Sequence, residues 1–94
     1  MARIEFDPRK SERNARERGL PFGRAADFDW ENAILVPDVR RDYGETRLVA
    51  MGFLDGRLHV LCFLRIPGGI RVISLRKANK REVLEHEQAK AADE

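Results

Sequence analysis

Arginine is concentrated where this chain would have to do its chemistry. Between Arg57 and Arg81 there are seven cations and no acid, whereas Asp27 to Asp55 holds seven acids against three cations. Fourteen of the 18 cations in the chain are arginine, whose planar guanidinium binds phosphate through a two-pronged fork that lysine lacks. Arg65, Arg71 and Arg76 stand among apolar residues in strand-like segments, so each needs a counter-charge or a phosphate. In one reading they reach water at strand ends and pair with the acids between Asp42 and Asp55. In the other they surround a concave site, where guanidinium groups stabilise the extra negative charge of a pentavalent phosphate. Attack by an RNA 2′-hydroxyl without help from a metal calls for that stabilisation.

Such a reaction also needs one group to take the hydroxyl proton and another to protonate the leaving oxygen. Glu45 qualifies as a base if Arg47 or Arg65 orients it, although a loop carboxylate beside arginines is more often an ion pair. Tyr43 is a weaker candidate. His59 alternates with Leu61 and Phe63 and reads as a partly buried strand residue, while His86, between Glu85 and Glu87, reads as a solvated helix residue. The single cysteine, Cys62, has no internal disulfide partner, and no Cys/His cluster supplies the ligands of a zinc site, so neither metal nor cofactor is expected. The phosphate-cradling GxxxxGK[ST] loop, the GxSxG elbow and the HExxH helix are all missing from the sequence, which leaves nucleotide hydrolases, serine hydrolases and zinc proteases without support.

The elements that must position these residues follow from local signals. The 94 residues, 43% of them apolar and 36% charged with a net charge of +2, suit one domain spanning positions 1–94 with an unusually ionic surface. No signal-peptide pattern and no run of about 18 apolar residues is present, so a soluble cytoplasmic chain is expected. Asp7-Pro8 predicts a helix start and Gly19 its end; between them Ala15 is almost the only apolar residue, so this helix belongs on the surface. Phe22, Ala25, Ala26 and Phe28 predict a second helix on the core. Strands are expected over Ala33–Val36, Thr46–Leu54, Leu58–Ile66 and Ile70–Arg76, with Asp55-Gly56 as a tight hairpin turn. Strict alternation on the last strand divides Arg71, Ile73 and Leu75 from Val72, Ser74 and Arg76. Asn79 and Glu82 form a capping-box pattern at the start of a final helix reaching about Ala91. The expected class is α+β: an antiparallel meander of about four strands, two N-terminal helices and one C-terminal helix.

Three strings taken in order, FDPRKSERNARERG, GETRLVAMGFLDGR and RVISLRKANKRE, span most of Phe6 to Glu82 and resemble the BrnT family of toxins. The resemblance implies a fold similar to RelE-type ribonucleases and metal-independent RNA cleavage that inhibits translation. It also implies neutralisation by a ribbon-helix-helix antitoxin that carries the pair to operator DNA. Either a homodimer or a toxin–antitoxin hetero-oligomer is compatible with it. By the same resemblance Glu45 and Arg47 match a Gly-Glu-x-Arg motif, Arg65 the arginine closing the penultimate strand, and Arg76 the arginine before the last helix; these are the expected catalytic residues. Arg18, Arg71 and Lys77 are expected to bind RNA. Two positions depart from the family pattern: Phe6 stands for a tryptophan, and Glu17-Arg18-Gly19 for Lys-His-Gly. Arg18 cannot exchange a proton near neutrality, so the alternative expectation is a weakened or silent nuclease that serves as a co-repressor or RNA-binding module. Binding of DNA by this chain alone is not expected, because no helix-turn-helix spacing appears.

Overall fold

A computed structural model describes residues 3–92. Five strands lie in the order β1-β5-β4-β3-β2: β1 (Arg3–Glu5), β2 (Ile34–Pro37), β3 (Leu48–Leu54), β4 (Arg57–Ile66) and β5 (Gly69–Lys77), accompanied by helices α1 (Pro8–Arg18) and α2 (Lys80–Ala92). Strands β2 to β5 pair antiparallel, each with its successor, and β1 runs parallel to β5. The class is α+β, but the expected four-strand antiparallel sheet is corrected to a mixed sheet of five strands. Three residues carry too little periodicity to announce a strand, and β1 pairs with a segment remote in sequence, Gly69–Arg71.

The second N-terminal α-helix is also corrected. Phe22–Asp27 is a 3₁₀ helix, in which residues three apart eclipse one another, so Phe22 and Ala25 point together into the core. Phe28 already has extended backbone, φ −69° and ψ 138°, and its ring reaches the core from there.

Helix α1 begins and ends where expected. Asp7 accepts the Arg9 backbone N–H at 2.9 Å, and Gly19, at φ 70°, donates its N–H to the carbonyl of Ala15. Only Ser11 of this helix is buried, so polar contacts fasten it. Ser11 Oγ accepts the Phe22 N–H at 2.9 Å, and the Asn14 amide donates to the carbonyls of Leu20 and Leu75 at 2.7 and 2.9 Å. Asp55 and Gly56, at φ 53° and 74°, make the hairpin turn between β3 and β4 that the sequence announces.

Both faces of the sheet are covered in part. The N-terminal segment packs Leu20, Phe22, Ala25 and Phe28 against Ala50, Leu54, Leu61, Phe63, Val72 and Leu75. On the opposite face a smaller cluster joins Leu58, Val60 and Ala78, with Val49, Met51 and Val83 beside it. A β-bulge decides which arginines share that second face. Cys62 pairs with Ser74 but Phe63 pairs with Val72, leaving Ile73 as the extra residue. Val72 and Leu75 therefore both enter the large core, and strict alternation fails. Arg71, paired with Leu64, and Arg76, paired with Val60, come to the same face instead of being divided between two. No helix among the described residues is long and apolar enough to cross a membrane.

Candidate active site

The second face is built at one end by the segment that leaves β2. Asp38 continues the β2–β3 ladder by donating its N–H to the carbonyl of Arg47 at 2.8 Å, and alternation from Val36 turns its side chain to the second face. That carboxylate is 1% exposed. It accepts Arg40 Nε and Nη2, each at 2.8 Å, the Arg40 backbone N–H at 3.3 Å and the Tyr43 hydroxyl at 3.2 Å. The Arg40 hydrogen bonds hold Asp38 well below the usual carboxylate range despite the opposing cost of burial, and Asp38 in turn raises the Arg40 guanidinium.

Arg47 lies over the Tyr43 ring, its guanidinium carbon 4.0 Å from the centroid, with Arg41 more distant at 5.7 Å. Arg47 Nε donates to Glu45 Oε1 at 3.1 Å. Glu45 also lines a surface depression with Thr46, Leu48, Leu64 and Arg65. Glu45 is thus joined to Arg47 and shares a depression with Arg65, but Arg65, paired with Ile70 and in phase with Phe63, belongs to the large-core side of the sheet and not to the second face.

Arg76 reaches the same face from β5, but its partner is not among the acids between Asp42 and Asp55. Its Nη1 and Nη2 donate to the two oxygens of Glu82 at 2.7 and 2.8 Å, chiefly for which the Glu82 carboxyl is lowered to about 2. Glu82 is at once the capping-box residue of α2: it accepts the Asn79 N–H at 2.9 Å and donates its own N–H to Asn79 Oδ1 at 2.8 Å. The positive charge of Arg40 acts on Arg76, and the charges of Asp38, Arg47 and Arg40 act on Cys62, so these groups share one neighbourhood. Burial pushes the Cys62 thiol up, which leaves it an unreactive part of the floor. Among the described residues Arg65 and Arg71 make no ion pair, contrary to the strand-end pairing that composition allows.

Arg18 and Lys77 meet elsewhere, in a depression shared with Glu17 and Leu20. Arg18 also borders a second one with Lys10, Arg13 and Ser74, where α1 passes the part of β5 that β1 does not cover. His59 is buried at 3% exposure, and its Nδ1 lies 2.8 Å from the carbonyl oxygen of Arg57, a contact in which the ring must donate. His86, expected in solvent, is instead 6% exposed against Phe53, with ring centroids 5.6 Å apart, because α2 turns this position onto the sheet. Its Nε2 has no hydrogen-bond partner among the described residues. No group of three or more His, Cys, Asp or Glu side chains that could hold a metal occurs among the described residues. Sequence reasoning missed Asp38 and Arg40; the signal was the Asp-x-Arg spacing directly after Pro37, where a strand stops and a buried carboxylate can still follow its alternation.

The second face thus carries Arg40, Arg47, Arg71 and Arg76, three of them paired with carboxylates. Residues 6–82 match the family model described as the ribonuclease toxin BrnT of type II toxin-antitoxin systems. The chain belongs to that family, which makes it a ribonuclease toxin by family and gives it an antitoxin as partner. A search of curated proteins finds no match.

Proposed function

We propose that this protein cuts RNA on the second face of its sheet, without a metal, and thereby inhibits translation until a DNA-binding antitoxin of the ribbon-helix-helix type covers it. The observation that carries this reading is the β5 bulge, which brings Arg71 and Arg76 to the face that also holds Arg47 and Arg40. Guanidinium groups there balance the charge that develops on a pentavalent phosphate. Glu45, held by Arg47 at 3.1 Å, is the proposed proton acceptor from the 2′-hydroxyl, and Arg65, at the rim of the same depression, adds positive charge from the sheet edge. Arg18, Arg71 and Lys77 bind the flanking backbone, with the α1 end and the uncovered edge of β5 as its track. The RelE-like relationship and a cytoplasmic site of action belong to the same proposal. The test is cleavage of a labelled RNA by the purified chain in EDTA, with Glu45→Gln and Arg47→Ala as controls; intact RNA after incubation with the unaltered chain overturns the reading.

A second reading is favoured by two observations: Arg18 stands where the resemblance implies a histidine, and Glu82 occupies both terminal nitrogens of Arg76. In it the chain binds its antitoxin or RNA without cutting, and acts on operator DNA as a co-repressor. Cleavage by the purified chain excludes it.

A further inference from the structure

The three acid-paired arginines of the second face are not equivalent in what they leave free. A guanidinium has five N–H donors and two edges able to grip an oxyanion, one formed by Nε with a terminal nitrogen and one by the two terminal nitrogens. Glu82 takes the terminal edge of Arg76. Asp38 takes the Nε edge of Arg40, through Nε and Nη2 at 2.8 Å each. Glu45 takes only Nε of Arg47. Arg40 and Arg47 thus keep a terminal edge that can receive a phosphate, whereas Arg76 keeps only its Nε edge.

Arg40 has a further property. Its side chain is 75% exposed although its head group is pinned to a carboxylate that is 1% exposed. A surface arginine ordinarily loses several rotamers when it binds an anion; this one is already aimed. Asp38 is itself fixed by the Tyr43 hydroxyl and by the Arg40 backbone N–H, and Tyr43 carries Arg47 on its ring at 4.0 Å. One buried carboxylate therefore holds Arg40 directly and reaches Arg47 only through the Tyr43 ring, Glu45 being the acid partner of Arg47.

We propose that Arg40 binds a phosphate of the RNA backbone and that Asp38 is its positioning residue. The inference rests on the reading that this face binds RNA, and it adds a residue that the Gly-Glu-x-Arg and strand-end arginines do not include. A pair serving only to close the loop between β2 and β3 would tie the stability of the fold to Arg40 without tying RNA affinity to salt through it.

The experiment measures binding of a 2′-O-methylated oligoribonucleotide, which cannot be cut, across a salt series. The proteins are the unaltered chain, Arg40→Ala, Asp38→Asn and the double variant, in which no unpaired buried carboxylate remains. Arg40→Ala and the double variant are expected to bind about 10-fold more weakly at low salt, and the slope of log affinity against log salt should fall by about 0.7, as for one lost single-strand phosphate contact. Asp38→Asn should weaken binding when Arg40 is present and add nothing once Arg40 is alanine. A double variant that keeps the slope of the unaltered chain overturns the role of Arg40, while equal losses from Asp38→Asn in both backgrounds overturn positioning. If the unaltered chain itself fails to bind at low salt, the RNA reading of the face fails with the proposal, an outcome distinct from an unchanged slope.

Discussion

Arg76 and Glu82 are joined through both terminal nitrogens and both carboxylate oxygens, at 2.7 and 2.8 Å, so the last strand and the cap of the last helix meet in one ion pair. Glu82 cannot be changed without loosening the helix start, and Arg76 cannot turn without breaking it. A guanidinium held in this way is directed before any substrate arrives, which is the condition under which it stabilises a developing charge most effectively.

Arg76→Ala is therefore expected to lower RNA cleavage by about 10²-fold or more, the scale seen when one preorganised donor to a developing oxyanion is lost. Arg76→Lys should not restore it, since a point charge cannot reproduce the fork. Single-turnover cleavage of a labelled RNA and growth inhibition on expression check this; cleavage at the unaltered rate in Arg76→Ala removes the residue from the site.

The same pair predicts a pH dependence of stability. A folded-state carboxyl lowered from 4.5 to about 2 contributes stability that is complete above the unfolded value and lost as pH falls from about 4.5 towards 2. Asp38, also lowered, adds to the loss in acid. Glu82→Gln should reduce Tm near neutrality and flatten its fall over that window, as followed by circular dichroism; a parallel downward shift with no change in shape sets Glu82 aside as the source.

Gly52 of β3 is predicted to tolerate no side chain. A methyl group there would stand 2.7 and 2.9 Å from ring carbons of Phe28 and 3.1 Å from the Ala33 methyl, and Phe28 is locked in the large core. Gly52→Ala should cost about 1–3 kcal/mol through overpacking, read as a lowered Tm. Cleavage measured well below that Tm should change little, because the clash lies on the face away from the arginines.

Arg18→Ala should weaken RNA binding and reduce its salt slope by about 0.7 while leaving the cleavage rate at saturating RNA nearly unchanged. The reason is placement: Arg18 lines its depressions with Lys77 and with Ser74, on the α1 side of β5. A large fall in the saturated rate with no change in slope would move Arg18 from the binding track to the reacting centre.

EDTA is expected to leave cleavage intact, since the donors on the second face are guanidinium groups and carboxylates already bonded to them. Activity that disappears in EDTA and returns with Mg²⁺ would overturn the guanidinium-based mechanism.

Much of the scaffold was legible because its signals are local. Asp7-Pro8 and Gly19 bound α1, Asp55-Gly56 makes the hairpin, and Asn79 with Glu82 opens α2, each through contacts within a few residues. What could not be read depends on partners distant in sequence. β1 is a strand only because β5 lies beside it, Phe22–Asp27 tightens into a 3₁₀ helix because two of its residues must reach one core, and the bulge at Ile73 appears only when β5 is set against β4. The site divides likewise. Glu45 and Arg47 stand two positions apart and were found together, whereas the joining of Arg76 to a carboxylate already assigned as a helix cap gives no sign in the sequence. Asp38 escaped because a carboxylate after Pro37 in a polar stretch reads as turn chemistry, and its burial depends on the neighbouring strand.

The parallel strand also governs how the molecule reaches its final form. β1 is the first of the described elements, and its strand partner among them is β5, the last strand; Gly69 meets it so closely that a methyl group there would overlap the Arg3 carbonyl. Closing the loop between β1 and β5 spans more residues than any other pairing in the sheet and so carries the largest entropic cost. The antiparallel pairings from β2 to β5, which close much shorter loops, are therefore expected to form before β5 captures β1. A three-residue strand held by one such pairing is expected to lock last and to open first, which would make it an early point of attack for a protease.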